Sequence, residues 1–200
     1  MNSGATSERV YDALKRQILH RRFLPGARLD PAQLATTLAS SVTPVRDALH
    51  LLTGEGLVEA QPNGGFHMPL VSEPALRDLY AWNAQLLLLA LRDWPSGALD
   101  AAMPGPPGDA AGQTAMLFGW IAARSANAEH GRAVAAANDR LHAPRLAEAA
   151  LLAGDPLAAI RAALPGERAG LRRAISAYHR DRIRRVPAIV RALYRDTPPA

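Results

Sequence analysis

The chain has 200 residues, 48% apolar and 20% charged, with a formal net charge of +5, and that is enough for one or two domains with a real core. It contains no cysteine, which excludes a disulfide framework, a thiol nucleophile and a cysteine-bound metal. The opening residues lack a basic stretch followed by an apolar one, and the apolar run 86–91 is too short to span a bilayer, so a cytoplasmic protein without a membrane partner is expected.

Residues 1–6 are expected to be disordered. Ser7 is placed to cap a helix reaching about His20, with Val10, Ala13, Leu14 and Ile18 inward. Arg21 to Gly26 then turns the chain. Asp30 caps a second helix, with Pro31 at its first position. A third helix follows from the N-cap Thr43, with Pro44 first inside it. Val45, Ala48, Leu49 and Leu52 fall at i, i+3, i+4 and i+7 and make one apolar stripe. Thr43, Arg46, Asp47, His50 and Thr53 take the opposite side. Gly54 and Gly56 end the helix. Residues 57–60 predict a strand, 61–65 a turn and 66–68 the returning strand. The whole reads as a winged helix-turn-helix. A short helix with one buried stripe and an arginine on its first exposed turn suits major-groove reading.

This stretch resembles the GntR family of bacterial transcription regulators. The matching residues are Thr43 to Leu49, Leu52, Glu55 to Val58 and the wing glycine Gly65. Upstream, Leu24 to Leu29 and Leu34-Ala35 also match, so the likeness covers about Val10 to Met68. It implies a DNA operator as partner. Arg46 is expected to read guanine through a bidentate contact, with Ser41, Thr43 and His50 beside it. Asn63, Gly64, Gly65 and His67 form the wing tip expected at the minor groove or its phosphates. Ser7 and Arg9 stand where relatives commonly touch phosphate, although a cap and a solvated arginine explain them equally. Val42 stands where the family usually has a DNA-contacting arginine, and a valine offers only apolar contact, for example to a thymine methyl. A homodimer would call for a pseudo-palindromic operator.

Residues 69–71 link to a second, helical half, so the expected domains are 1–70 and 71–200 and the fold class is mainly α. Ser72 caps a helix reaching about Asp93, with Leu76, Leu79, Tyr80, Leu86, Leu87 and Ala90 on its apolar face and Asn83 among them. The proline- and glycine-rich residues 94–109 break helix. Further helices are expected over about 110–124 and 128–142, from Pro144 to near Ala153, and from about 157 to Leu164. A last, long one runs from Glu167 to about Tyr194, bent at Pro187. The basic run from Arg180 to Arg195 reads as a solvated face.

Residues 72–91 resemble the first helix of the FadR-type effector domain, with Leu79-Tyr80 as the clearest match. That likeness implies an all-helical dimerisation domain that senses a small molecule, commonly a small carboxylate. Many such domains hold a divalent metal, and Thr114 and Phe118 stand where its first Asp and His ligands belong. Neither can serve, so no metal or other cofactor is expected. Asp139 and His142 lie one turn apart, and a solvated face explains them better than a metal site. The candidate effector residues are Asn83, Phe118, Arg124, His142, Tyr178 and His179. No phosphate loop, nucleophile elbow or His-Glu-x-x-His motif is present, so no enzyme is expected. Two rivals remain: a ligand-free dimerisation module, and an enzyme with a DNA-binding appendage. A partly polar cavity near Asn83, Phe118 and Tyr178 would favour sensing, and a filled core would favour the ligand-free module.

Overall fold

The computed structural model describes residues 3–62, 65–92, 94, 108–152 and 154–195. In its first part, α1 (Ser3–Leu19) lays Val10, Leu14 and Ile18 against the buried stripe of α3 (Val42–Gly54). Between them lie β1 (Arg28–Leu29) and α2 (Pro31–Thr37). The wing follows as β2 (Glu59–Ala60) and β3 (Phe66–His67). The three strands form one antiparallel sheet in the order β1-β3-β2, with Leu29 opposite Phe66 and Ala60 on its other side. β1 carries no alternation because it has only two residues, and the sequence did not announce it. Likewise Leu57 and Val58 are buried but lie before β2 rather than in it.

Two helix starts differ from expectation. α1 begins at Ser3, so Ser7 lies within the helix and does not cap it; Gly4 and Thr6 lower helix propensity without forbidding it. α3 begins at Val42 with Ser41 in the N-cap position, so Thr43 and Pro44 sit inside the first turn. The first four N–H groups of a helix have no intrahelical acceptor, and Pro44 loses nothing there. Asp30 behaves as expected: its carboxylate accepts from the N–H groups of Ala32 at 2.8 Å and Gln33 at 3.3 Å. Those two bonds hold its carboxyl below the usual range. The turn between α2 and α3 needs a left-handed residue, which is Ala39 at φ 47°. Tyr11 and Lys15 of α1 both hold the Glu55 carboxylate just after α3, the lysine at 2.8 Å.

The second part comprises α4 (Glu73–Arg92), α5 (Ala110–Ala122), α6 (Ala128–Ala149), α7 (Ala158–Ala163) and α8 (Arg168–Arg195). Ser72 caps α4, Asp109 caps α5 and Asn127 caps α6 through their side-chain oxygens. Leu86, Leu87, Ala90, Leu91, Leu117, Phe118, Ile121, Leu171 and Ile175 are among the residues of its core. α6 corrects an expectation, because it runs through Pro144 without a break. Leu141, Pro144, Arg145, Ala147 and Glu148 are all buried on it, and that packing outweighs the roughly 3 kcal/mol that a proline costs inside a helix. α8 also continues through Pro187 as one helix. The chain divides into two compact units, Met1–Val71 with Leu193–Ala200, and Ser72–Ala192. The end of α8 thus groups with the first unit, where the Tyr194 hydroxyl bonds the backbone N–H and C=O of Val71 at 3.1 and 3.3 Å.

Candidate nucleic-acid interface and ligand pocket

α3 has two unlike sides. Val45, Ala48, Leu49 and Leu52 are at most 2% exposed, whereas Ser41, Val42, Thr43, Arg46, Asp47 and His50 face solvent. The buried stripe fixes the helix against α1 and α2, so the outer row is presented rigidly. The Ser41 side chain makes no capping bond. His50 also touches the wing: its ring meets Phe66 edge-on at 4.9 Å between centroids. His67 is half-buried on β3, and its Nδ1 has no hydrogen-bond partner. Gly65 precedes β3, while Asn63 and Gly64 lie outside the described residues. Ser7 is half-buried, and the exposed Arg9 reaches the Leu38 carbonyl at 3.5 Å. Ser41, Thr43, Arg46 and His50 thus share one helical row, and the residues expected to meet DNA at the start of α1 do not share it.

The second unit holds a buried polar network that sequence reading found only in part. Asn83, Thr114, Asn138, Arg145, Glu148, His179 and Arg182 are each at most 5% exposed. The Arg145 guanidinium donates to Asn138 Oδ1 at 2.9 Å and to Asn83 Oδ1 at 3.1 Å. His179 places Nε2 3.0 Å from the same Asn83 oxygen and Nδ1 2.8 Å from the Ile175 carbonyl. Glu148 accepts from Arg182 Nε at 2.7 Å and from the Tyr80 hydroxyl at 3.2 Å. Burial pushes the His179 imidazole down to about 3, and the Arg145 and Arg182 cations add to that. Burial and the Glu148 carboxylate push the Tyr80 phenol well above its ordinary value. Phe118 stacks on His179 at 5.5 Å and meets Tyr178 edge-on at 5.3 Å.

A pocket of about 130 Å³ adjoins this network, walled by Ala110, Thr114, Arg145, Glu148, Leu152 and Tyr178 among others. Of the expected effector residues, only Tyr178 lines it. Asn83 and His179 belong to the network behind it, and Phe118 is fully buried in the core. Arg124 and His142 belong to neither. The Arg124 guanidinium lies 3.3 Å from the Trp120 ring centre and donates to the Trp120 carbonyl at 2.9 Å. His142 Nε2 lies 4.0 Å from Asp109 Oδ2. The Thr114 hydroxyl donates to the Ala110 carbonyl at 2.7 Å. The donor set around the pocket is therefore guanidinium, phenol and hydroxyl with one already paired carboxylate, which does not fit a divalent metal.

Sequence reading missed Arg145, Glu148, Arg182 and Asn138. A signal was present: Asn138, Leu141, Arg145 and Glu148 follow i, i+3, i+7 and i+10, a single helical stripe on α6. The expected break at Pro144 cut that stripe in two and hid it.

The profile of the bacterial regulatory proteins of the gntR family matches residues 6–68. The chain is similar to the uncharacterized HTH-type transcriptional regulator YdhC of Bacillus subtilis, with 32% identity over 40% of this chain and 36% of that protein. It is also similar to the Nta operon transcriptional regulator of Aminobacter aminovorans, with 40% identity over 35% of this chain and 33% of that protein. The chain thus spans about a third of the length of these curated relatives. In fold it is similar to a GntR transcriptional regulator from Rhodococcus sp. RHA1, with TM-score 0.74 and 17% identity over 92% of this chain and 98% of that one. E. coli McbR/YncC has a similar fold, with TM-score 0.65 and 19% identity over 94% and 99% of the two chains. Residues 6–68 therefore belong to the gntR family of bacterial regulatory proteins, in the form of a winged helix-turn-helix.

Proposed function

We propose that this protein is a transcription regulator that binds an operator as a homodimer and senses a small molecule in its helical unit. The carrying observation is α3, whose buried stripe holds Ser41, Thr43, Arg46 and His50 in one exposed row next to the wing strand. A helix so held can enter the major groove with its N-terminal side chains at the base edges, and Arg46 suits guanine. Dimerisation has support in α4, where Trp82 and Leu89 are 47% and 38% exposed. They lie seven residues apart, on one side of the helix, and two such sides can cover each other. Sensing has support in the pocket against Tyr178 and Arg145. The ligand-free module has support of its own, because Asn83 and Phe118 sit in filled core. An enzymatic role has little: Glu148 is bonded by Arg182 and Tyr80, and a buried imidazole with a value near 3 is a poor base.

The test is selection of binding sites from random-sequence DNA with the full chain. Recovery of a two-fold related consensus supports the reading, and recovery of no consensus, or of a single half-site, refutes the dimeric operator.

A further inference from the structure

The buried polar set of the helical unit is out of balance. Among the described residues it contains two guanidiniums, Arg145 and Arg182, but one carboxylate, Glu148. Glu148 is committed to Arg182 at 2.7 Å and to Tyr80. Arg145 is 3% exposed, and its bonded partners are two neutral amide oxygens, Asn138 Oδ1 and Asn83 Oδ1. Its Nε has no hydrogen-bond partner. Its charge lies 5.2 Å from the centre of the Phe118 ring, which offers weak compensation. A buried cation without an anion is unfavourable unless something supplies the missing charge. Arg145 is also a wall of the pocket, so a ligand can reach it.

The geometry points to Arg145 as the anchor of an organic monoanion, a carboxylate on a small apolar body, bound directly and without a metal bridge. This rests on the reading of the helical unit as a sensor. The two amides orient the guanidinium, which retains a fork able to take a carboxylate. The rest of the wall is mixed, with Ala110, Leu152 and the Tyr178 ring beside the Thr114 hydroxyl. The volume, about 130 Å³, is close to that of cavities that hold one benzene ring. The occupant is therefore a short branched or a monocyclic acid, and a long-chain or polyanionic ligand does not fit. Glu148 does not repel it on balance, because Arg182 neutralises that carboxylate.

The test compares acids with their amides, which match in shape and differ in charge. Thermal unfolding and calorimetric titration of the full chain, in chelator, use benzoate against benzamide and isobutyrate against isobutyramide. The expected result is that at least one acid raises the unfolding temperature and binds about tenfold or more tightly than its amide. Arg145→Gln should abolish that preference, and Arg145→Lys should keep part of it. If Arg145→Gln fails to fold, the acid-to-amide ratio of the unaltered chain decides alone. Equal binding of acid and amide overturns the anion site but leaves a sensing pocket. No binding by either pair overturns the site, and recovery of an operator in the selection experiment would then leave the DNA-binding reading intact. Binding that appears only when a divalent metal is added in place of chelator also overturns it.

Discussion

The Arg77 guanidinium on α4 donates to the Ile183 carbonyl of α8 at 2.9 Å. Ile183 lies four residues before Pro187, so its carbonyl is the one that the proline cannot bond. α8 thus continues through Pro187 while a neighbouring helix satisfies the released acceptor. Arg77→Ala should cost about 1–3 kcal/mol, the penalty of a polar group left unsatisfied. In a Pro187→Ala background residue 187 regains an N–H, and the same Arg77 change should cost distinctly less. A double-mutant cycle in urea measures the difference, and equal costs in both backgrounds would disprove the coupling.

Arg46→Ala should weaken specific DNA binding by about 1–3 kcal/mol, the worth of one bidentate base contact. Because Arg46 is exposed, the unfolding temperature should stay the same. Fluorescence anisotropy on a selected site checks the first part and calorimetry the second.

The two ion pairs Arg182–Glu148 and Arg132–Glu129 should behave oppositely. The first has side chains 6% and 5% exposed, the second 77% and 67%. Glu148→Gln leaves a buried guanidinium without its charge partner and should cost about 3–5 kcal/mol. Glu129→Gln removes a solvent-screened pair and should cost under about 0.5 kcal/mol. Denaturant titration of both variants tests the contrast.

His179 should make stability depend on acid. Its folded value of about 3 lies below the ordinary 6.5. The unfolded chain therefore takes up a proton first as pH falls, and stability drops from pH 6.5 toward 3. The full contribution is present above 6.5, and the slope in between is at most about 1.4 kcal/mol per pH unit. Asp30 and Asp181, both held low, add loss in the same direction at the acid end. His179→Gln should flatten the curve between pH 6.5 and 4, as read by urea midpoints, and an unchanged slope would count against a buried neutral imidazole.

Ala39 holds a left-handed conformation at φ 47° in the turn between α2 and α3. A side chain there costs about 1 kcal/mol relative to glycine. Ala39→Gly should therefore raise stability by up to about 1 kcal/mol, less the entropy that glycine loses on folding. A lower unfolding temperature for this variant would contradict the strain.

The DNA-facing unit was largely legible because its signals are local. The stripe Val45, Ala48, Leu49 and Leu52 repeats at helical period, Asp30 followed by Pro31 marks a helix start, and glycines bound the wing. Small errors arose where local signals compete: Thr43 and Ser41 are both good caps, and only the backbone path chose Ser41. β1 was invisible because two residues cannot show alternation, and its pairing with Phe66 and His67 is made across the sheet.

The sequence alone determined the winged helix-turn-helix, the helical character of the second half, and the loss of the usual metal-binding pair at Thr114 and Phe118. Tertiary structure decided whether prolines break helices and whether charges are buried. α6 survives Pro144 because its inner side is packed, and α8 survives Pro187 because Arg77 reaches the released carbonyl. Arg145, Glu148 and Arg182 look like solvated residues in a list of letters. They are buried because Asn83, Asn138, Tyr80 and His179, up to 96 residues apart in bonded pairs, converge to satisfy them. Burial of charge is a property of what surrounds a residue, and neighbours brought from distant helices are not encoded in any local window.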